Sequence, residues 1–127
     1  MKTSELTGAA LDWAVAKAEG ATDFWFDTVA THWVKLHGED RALRYGWAQS
    51  YLPSTDWAQG GPIIEREKID MTVQFYGWVA HHGKYRGKEM NQPYHTQKAD
   101  TPLIAAMRCF VASKLGDEVE VPEELTE

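Results

Sequence analysis

The chain has a single cysteine, Cys109, among its 127 residues, so it cannot close a disulfide on itself. That suits a reducing compartment. No apolar stretch approaches the length of a membrane span. Met1 is followed by Lys2, Thr3, Ser4 and Glu5 rather than by an apolar run, so no signal peptide is expected. Positive charge is not in surplus either: 13 Lys and Arg stand against 19 Asp and Glu, a net charge of −6. This argues against general DNA or RNA binding, which needs a basic footprint.

Catalytic signatures are missing as well. His32, His37, His81, His82 and His95 include no pair at helical i, i+4 spacing, and one cysteine makes no cluster, so neither metal nor cofactor is expected. Nothing resembles Gly-x-Ser-x-Gly. Cys109 falls inside an apolar helical stripe, where a thiolate is disfavoured and a packed side chain is the better reading. Glu65 and Glu67 flank Arg66 and read as surface charges.

What is present is aromatic: six Trp, five Tyr and four Phe. Each ring removes roughly 150–250 Å² from water when buried, so a few can dominate a small core. Charge is unevenly placed. Asp117, Glu118, Glu120, Glu123, Glu124 and Glu127 have no Lys or Arg among them, which leaves residues 1–116 balanced. The chain reads as one α+β domain over residues 1–121 with an acidic tail at 122–127, solvated and dispensable for folding.

Two helices frame it. The first spans Gly8–Glu19, with Thr7 as N-cap, a Leu6–Leu11 hydrophobic staple, a stripe of Leu11, Ala14, Val15 and Ala18, and Gly20 as the stop. The second spans Pro102–Leu115, capped by Thr101, with Pro102 at the first position and Gly116 beyond its end. Between them β patterns dominate. Phe24–Leu36 and Ala42–Tyr51 read as a hairpin turning at His37–Asp40, and Ile69–His81 as a further strand with a bulge at Gly77. Pro53–Pro62 reads as a loop, and His82–Asp100 as a long basic loop. The expected architecture is α+β: a small antiparallel sheet of 3–5 strands packed with the N-terminal and C-terminal helices.

The Pro53–Pro62 stretch carries the candidate site. Trp57 would stack on a flat ligand. Ser54, Thr55, Asp56 and Gln59 would read polar edges. Gly60 and Gly61 would admit a charged group, and Arg66 lies just beyond. The rival reading is a structural loop whose Asp56 bonds its own backbone and whose Trp57 plugs the core.

Three segments resemble the phage NinX-like family. They are Leu6-Thr7-Gly8-Ala9-Ala10-Leu11-Asp12-Trp13-Ala14-Val15-Ala16-Lys17-Ala18, Pro53-Ser54-Thr55-Asp56-Trp57-Ala58-Gln59-Gly60-Gly61-Pro62-Ile63-Ile64, and Thr101-Pro102-Leu103-Ile104-Ala105-Ala106-Met107-Arg108-Cys109 onward to Leu115-Gly116-Asp117. The resemblance implies a phage or prophage origin and the cytoplasm of an infected bacterium, without supplying a mechanism. The leading expectation is a non-catalytic accessory protein that binds a small nucleotide-like ligand, as a sponge for a host defence signal would. A protein–protein adaptor or inhibitor is the second reading and a nucleotide-processing enzyme the third. Self-association is expected, through the second face of the Pro102–Leu115 helix or through a sheet face containing Trp25, Trp33 or Trp47.

Overall fold

A computed structural model describes residues 1–82 and 95–126 of the chain. Its three helices are α1 (Gly8–Ala18), α2 (Trp57–Glu67) and α3 (Pro102–Leu115). Its strands are β1 (Asp23–Phe26), β2 (His32–Leu36), β3 (Glu39–Ala42), β4 (Asp70–Gln74), β5 (Gly77–His82) and β6 (His95–Ala99). They form two antiparallel sheets in sequence order, β1-β2-β3 and β4-β5-β6. The α+β architecture with flanking helices is as expected, but the β residues make two small sheets.

α1 and α3 form the middle of the molecule. Every residue from Ala10 to Ala16 of α1 is buried. Such a helix, buried all round and apolar but for Asp12, has neighbours on all sides. α3 buries Leu103, Met107, Phe110 and Val111 together with Ala105, Ala106 and Ala112, whose small side chains let neighbouring backbones approach. α3 packs on β4-β5-β6, on α1 and on α2, and α1 meets β2. Thr101 caps α3 as expected, its hydroxyl accepting from Ile104 N–H at 3.2 Å. Thr7 holds the N-cap position of α1, but its hydroxyl makes no capping bond. Leu6 and Leu11 are both fully buried, as the staple requires.

The β segments differ from the sequence expectation at their turns. Phe24–Leu36 is two strands, because Asp27 closes a three-residue turn: its Oδ1 accepts from Val29 and Thr31 N–H, both at 2.9 Å. Ala30 takes the left-handed position of that turn at φ 60°. The turn after β2 lies at His37-Gly38, both at positive φ (52° and 81°), the pattern of a two-residue hairpin. Ala42–Tyr51 is not a strand beyond Ala42. Residues 43–50 loop out and return, Ala42 N–H donating to Gln49 O and Tyr51 N–H to Ala42 O, each at 2.8 Å. Ile69–His81 is again two strands, folded at Phe75-Tyr76, and Gly77 opens β5 with φ 132° rather than bulging within it. A Cβ there would lie 2.7 Å from Ala99 O, so the glycine permits the approach of β6. The long loop expected at His82–Asp100 contains β6; residues 83–94 lie outside the described residues.

The largest correction is α2. The stretch Pro53–Pro62 is a loop only to Asp56. Asp56 is an N-cap, its Oδ1 accepting from Ala58 N–H at 3.0 Å, and Gly60, Gly61 and Pro62 lie inside the helix that follows.

The termini are tied together. Met1 and Val119 exchange backbone bonds, and Thr3 N–H donates to Asp117 O at 2.8 Å. Leu125 packs against the core, so the acidic end is not wholly solvated.

Candidate functional site

Of the residues expected to bind a ligand, Ser54 to Gly61 gather at the capped start of α2, where several are occupied, and Arg66 lies apart in its last turn. Ser54 is 1% exposed, and its N–H donates to Asp12 Oδ1 at 2.8 Å. Gln59 accepts from Leu52 N–H at 2.9 Å and from Arg41 Nη2 at 3.2 Å, and its amide donates to Asp56 Oδ2 and Ser50 O. Gly60 is closed to any ligand: a Cβ there would sit 2.3 Å from Pro53 O and 2.6 Å from Leu103 Cδ1. This glycine lets α2 dock. Gly61 has open space around its Cβ position, and Thr55 is exposed. Arg66 reaches back to Glu19 (2.8 Å) and to its neighbour Glu67 (3.0 Å), which also meets His82 Nε2 at 3.1 Å. Trp57 is 52% exposed and does not plug the core. The stretch is therefore a structural joint bearing one exposed indole.

Beneath the joint lies a buried polar cluster. Asp12 is 1% exposed, and burial pushes its carboxyl up to about 7 against the opposing pull of its bonds to Ser54. Tyr51 OH is buried there without a hydrogen-bond partner. Burial, with Glu19 and Asp12 nearby, also raises the Tyr51 phenol. Cys109 is the packed side chain expected: its thiol is buried against Ala80 O and pushed up to about 12. Among the described residues no group of three or more His, Cys, Asp or Glu could hold a metal.

The organised surface is the outer face of β1-β2-β3. Strand alternation sends Phe24, His32, Val34 and Leu36 inward and Trp25, Trp33 and Lys35 outward. Trp25 and Trp33 are direct cross-strand partners with parallel rings, 6.2 Å apart and 4° between planes. The 43–50 loop adds Trp47, 5.7 Å from Trp33, and Arg44 lies over Trp47 at 4.7 Å. Ser50 Oγ fastens this loop, accepting from Trp47 N–H at 2.9 Å and donating to Arg44 O. Trp33 is fixed by its indole N–H, which donates to Asp27 Oδ2 at 2.7 Å. That bond comes first among the causes holding the Asp27 carboxyl below the usual carboxylate range. Trp25 and Trp47 stay 37% and 36% exposed, and Tyr45 of the same loop as Trp47 is 86% exposed. The sequence points to this row through the alternation that puts Trp25 and Trp33 on one face; Trp47 joins it only through the loop.

Fold and surface together define a small α+β protein, with two three-stranded antiparallel sheets about a helical layer and stacked indoles on the outer face of one sheet. The family described as Bacteriophage P22, NinX matches residues 2–114, and the chain belongs to that family. No curated protein matches it. No helix among the described residues is long and apolar enough to cross a membrane.

Proposed function

We propose that this chain is a non-catalytic phage accessory protein that works by binding, and that the Trp25–Trp33–Trp47 face docks a segment of a protein partner. The observation that carries this is a row of three neighbouring indoles on one face, the half-buried Trp33 between the exposed Trp25 of the sheet and the exposed Trp47 of the 43–50 loop. Trp, Tyr and Arg are the residues that dominate the energetics of protein contacts. Charges on and around the face are of both signs with acid in slight excess: Lys35 lies opposite Asp23 and pairs with Asp40 at 3.7 Å, and Arg44 acts on Asp27. Such an aromatic surface suits a peptide of mixed or basic character better than a polyanion. The clefts beside Glu39 and Asp40, beside Asp117 and Glu118, and beside Glu124 set carboxylates against Arg41, Lys2 and the Met1 amino group, so none has the surplus of positive charge that favours phosphate.

A nucleotide-like ligand is the second reading, favoured by Arg44 lying over Trp47 beside an exposed indole row, where a base would stack and a phosphate would meet the guanidinium. One design separates the two. Peptide segments selected for binding are titrated against Trp25→Ser, Trp47→Ser and Trp57→Ala, and nucleotides are screened by thermal shift with the ligand re-analysed afterwards. Selected peptides should lose about tenfold or more in affinity with the first two variants and little with the third. Peptide binding indifferent to Trp25 and Trp47 overturns the docking face. A nucleotide recovered intact after a clear shift favours the second reading, and a converted one establishes catalysis.

A further inference from the structure

Among the described residues, β1 is the end strand of its sheet, and no strand lies along its outer edge. All four of its residues, Asp-Phe-Trp-Phe, are exposed. Natural sheets guard such edges with Pro, Lys, a bulge or a covering element, because unpaired backbone groups invite another strand. β1 has neither Pro nor Lys, and its aromatic side chains stand at the open rim.

The ladder says which groups are on offer. Asp27 N–H donates to Thr31 O, and the same register pairs Trp25 with Trp33. Hydrogen-bonded pairs alternate along an antiparallel ladder, so the backbone N–H and C=O of Phe24 and Phe26 point away from β2. Side chains alternate too, which puts Asp23, Trp25 and Asp27 on the tryptophan face. A strand laid along this edge would therefore meet an acid, an indole and an acid.

We propose that β1 takes up an extended protein segment as an added strand, and that this segment carries a basic, an apolar and a basic residue at i, i+2 and i+4, opposite Asp23, Trp25 and Asp27. The inference rests on the docking reading of the tryptophan face and names its partner's chemistry. Backbone bonds supply affinity in this mode, and alternate side chains supply selection. A second copy of the chain is a poorer occupant than a basic segment. Antiparallel pairing of two β1 strands about Trp25 sets Asp23 against Asp27 of the other copy, twice, and like charges directly opposite repel. Pairing about Phe24 or Phe26 avoids that clash, but β1 has no basic residue to set against its acids.

The test uses the full chain and a capped peptide with the core Lys-Thr-Leu-Thr-Lys, followed by fluorescence titration and amide hydrogen exchange. The peptide should bind, and the amides of Phe24 and Phe26 should gain protection in the complex. Replacing both Lys by Glu should weaken binding about tenfold or more. Methylating the peptide amides that face the edge should abolish it. Phe26→Pro, which removes an outward N–H and leaves the β2 ladder intact, should do the same while the protein still folds. The methylated peptide gives the same information if that variant does not fold. Absence of binding by the Lys peptide, or equal binding by the Glu peptide, overturns the assigned pattern. Full binding by the methylated peptide overturns edge pairing alone, provided Trp25→Ser and Trp47→Ser still weaken it. Indifference to those two variants as well overturns the docking face itself. A sedimentation mass of two chains that falls to one with Phe26→Pro makes a second copy the occupant and overturns the foreign strand.

Discussion

The two sheets share one topology, three antiparallel strands in sequence order, and differ in what covers them. β4-β5-β6 lies on α3, with Ala80 fully buried and the Cys109 thiol set against its carbonyl. β1-β2-β3 buries His32, Val34 and Leu36 on one side and leaves its indoles open on the other. Each sheet packs on one side and is open on the other, since β4 is largely exposed with Val73 at 63%. The tryptophan sheet differs in stacking indoles on its open side, and aromatic area left in water there adds nothing to folding. Substitutions should separate these roles. Phe110→Ala, at a site 1% exposed, should cost about 3–5 kcal/mol by denaturant unfolding. Trp25→Ala should cost only about 1 kcal/mol, the worth of its ring contact with Trp33. Equal losses would mean that the tryptophan face is core, and the contrast between the sheets would fail.

The buried carboxyl of Asp12 sharpens the contrast by pH. Its value in the folded chain stands at about 7, raised by burial. Between the usual carboxylate range and that value the unfolded chain has lost the proton while the folded chain keeps it. Stability therefore falls as pH rises through this window, by up to about 4 kcal/mol once pH passes the folded value. Asp27 acts with the opposite sign: its value is lowered, so its contribution is present at neutral pH and lost on acidification. Asp12→Asn should leave melting near parental at about pH 5 and raise it by a few kcal/mol equivalent at about pH 8. A parental melting temperature that does not fall between those values would show that Asp12 ionises without strain.

Adjacent glycines of α2 offer a smaller, signed test. Gly60→Ala pushes a Cβ against Pro53 O and Leu103 and should cost about 1–3 kcal/mol despite the better helix propensity of alanine. Gly61→Ala meets nothing and should gain up to about 1 kcal/mol. Two gains would mean that α2 does not dock through Gly60.

These glycines also mark where the sequence stops being legible. α1 and α3 announce themselves through local chemistry: Thr101 before Pro102, Gly20 and Gly116 beyond the ends, and apolar stripes between. α2 has a cap too, since Asp56 and Gln59 stand three apart and bond each other. Yet Gly-Gly-Pro in the next turn outweighs that signal in any local reading. The helix survives because Gly60 buys close packing against Pro53 and Leu103, a tertiary gain with no local trace. For the same reason part of the expected ligand site serves as a joint: the Ser54 N–H is taken by Asp12 and the Gln59 side chain by Arg41 and Leu52, and the first two contacts are hidden by their distance along the chain. Trp25 and Trp33 were legible as a face because alternation is local. Trp47 reaches them only by the return of the 43–50 loop.

The smallest expected effect concerns the acidic end. The family match stops at residue 114, and the segment beyond it straps the N-terminus through Val119 and Asp117. Past Pro122 the hold is thinner. Leu125 is half-buried on the core, and Glu124 Oε1 lies 3.2 Å from His32 Nε2 without the direction of a hydrogen bond. Half-burying a leucine is worth about 1 kcal/mol, and a pair whose carboxylate is 55% exposed adds little. Truncation after Val121 should therefore leave a folded chain weaker by about 1 kcal/mol, with the strap at Val119 intact. The loss should fall on the inner face of the tryptophan sheet, since His32 belongs to β2, and β4-β5-β6 should not register it. Amide exchange reads this directly. Faster exchange confined to β2 and its neighbours supports a local prop, and a truncated chain that no longer folds would make the end part of the core.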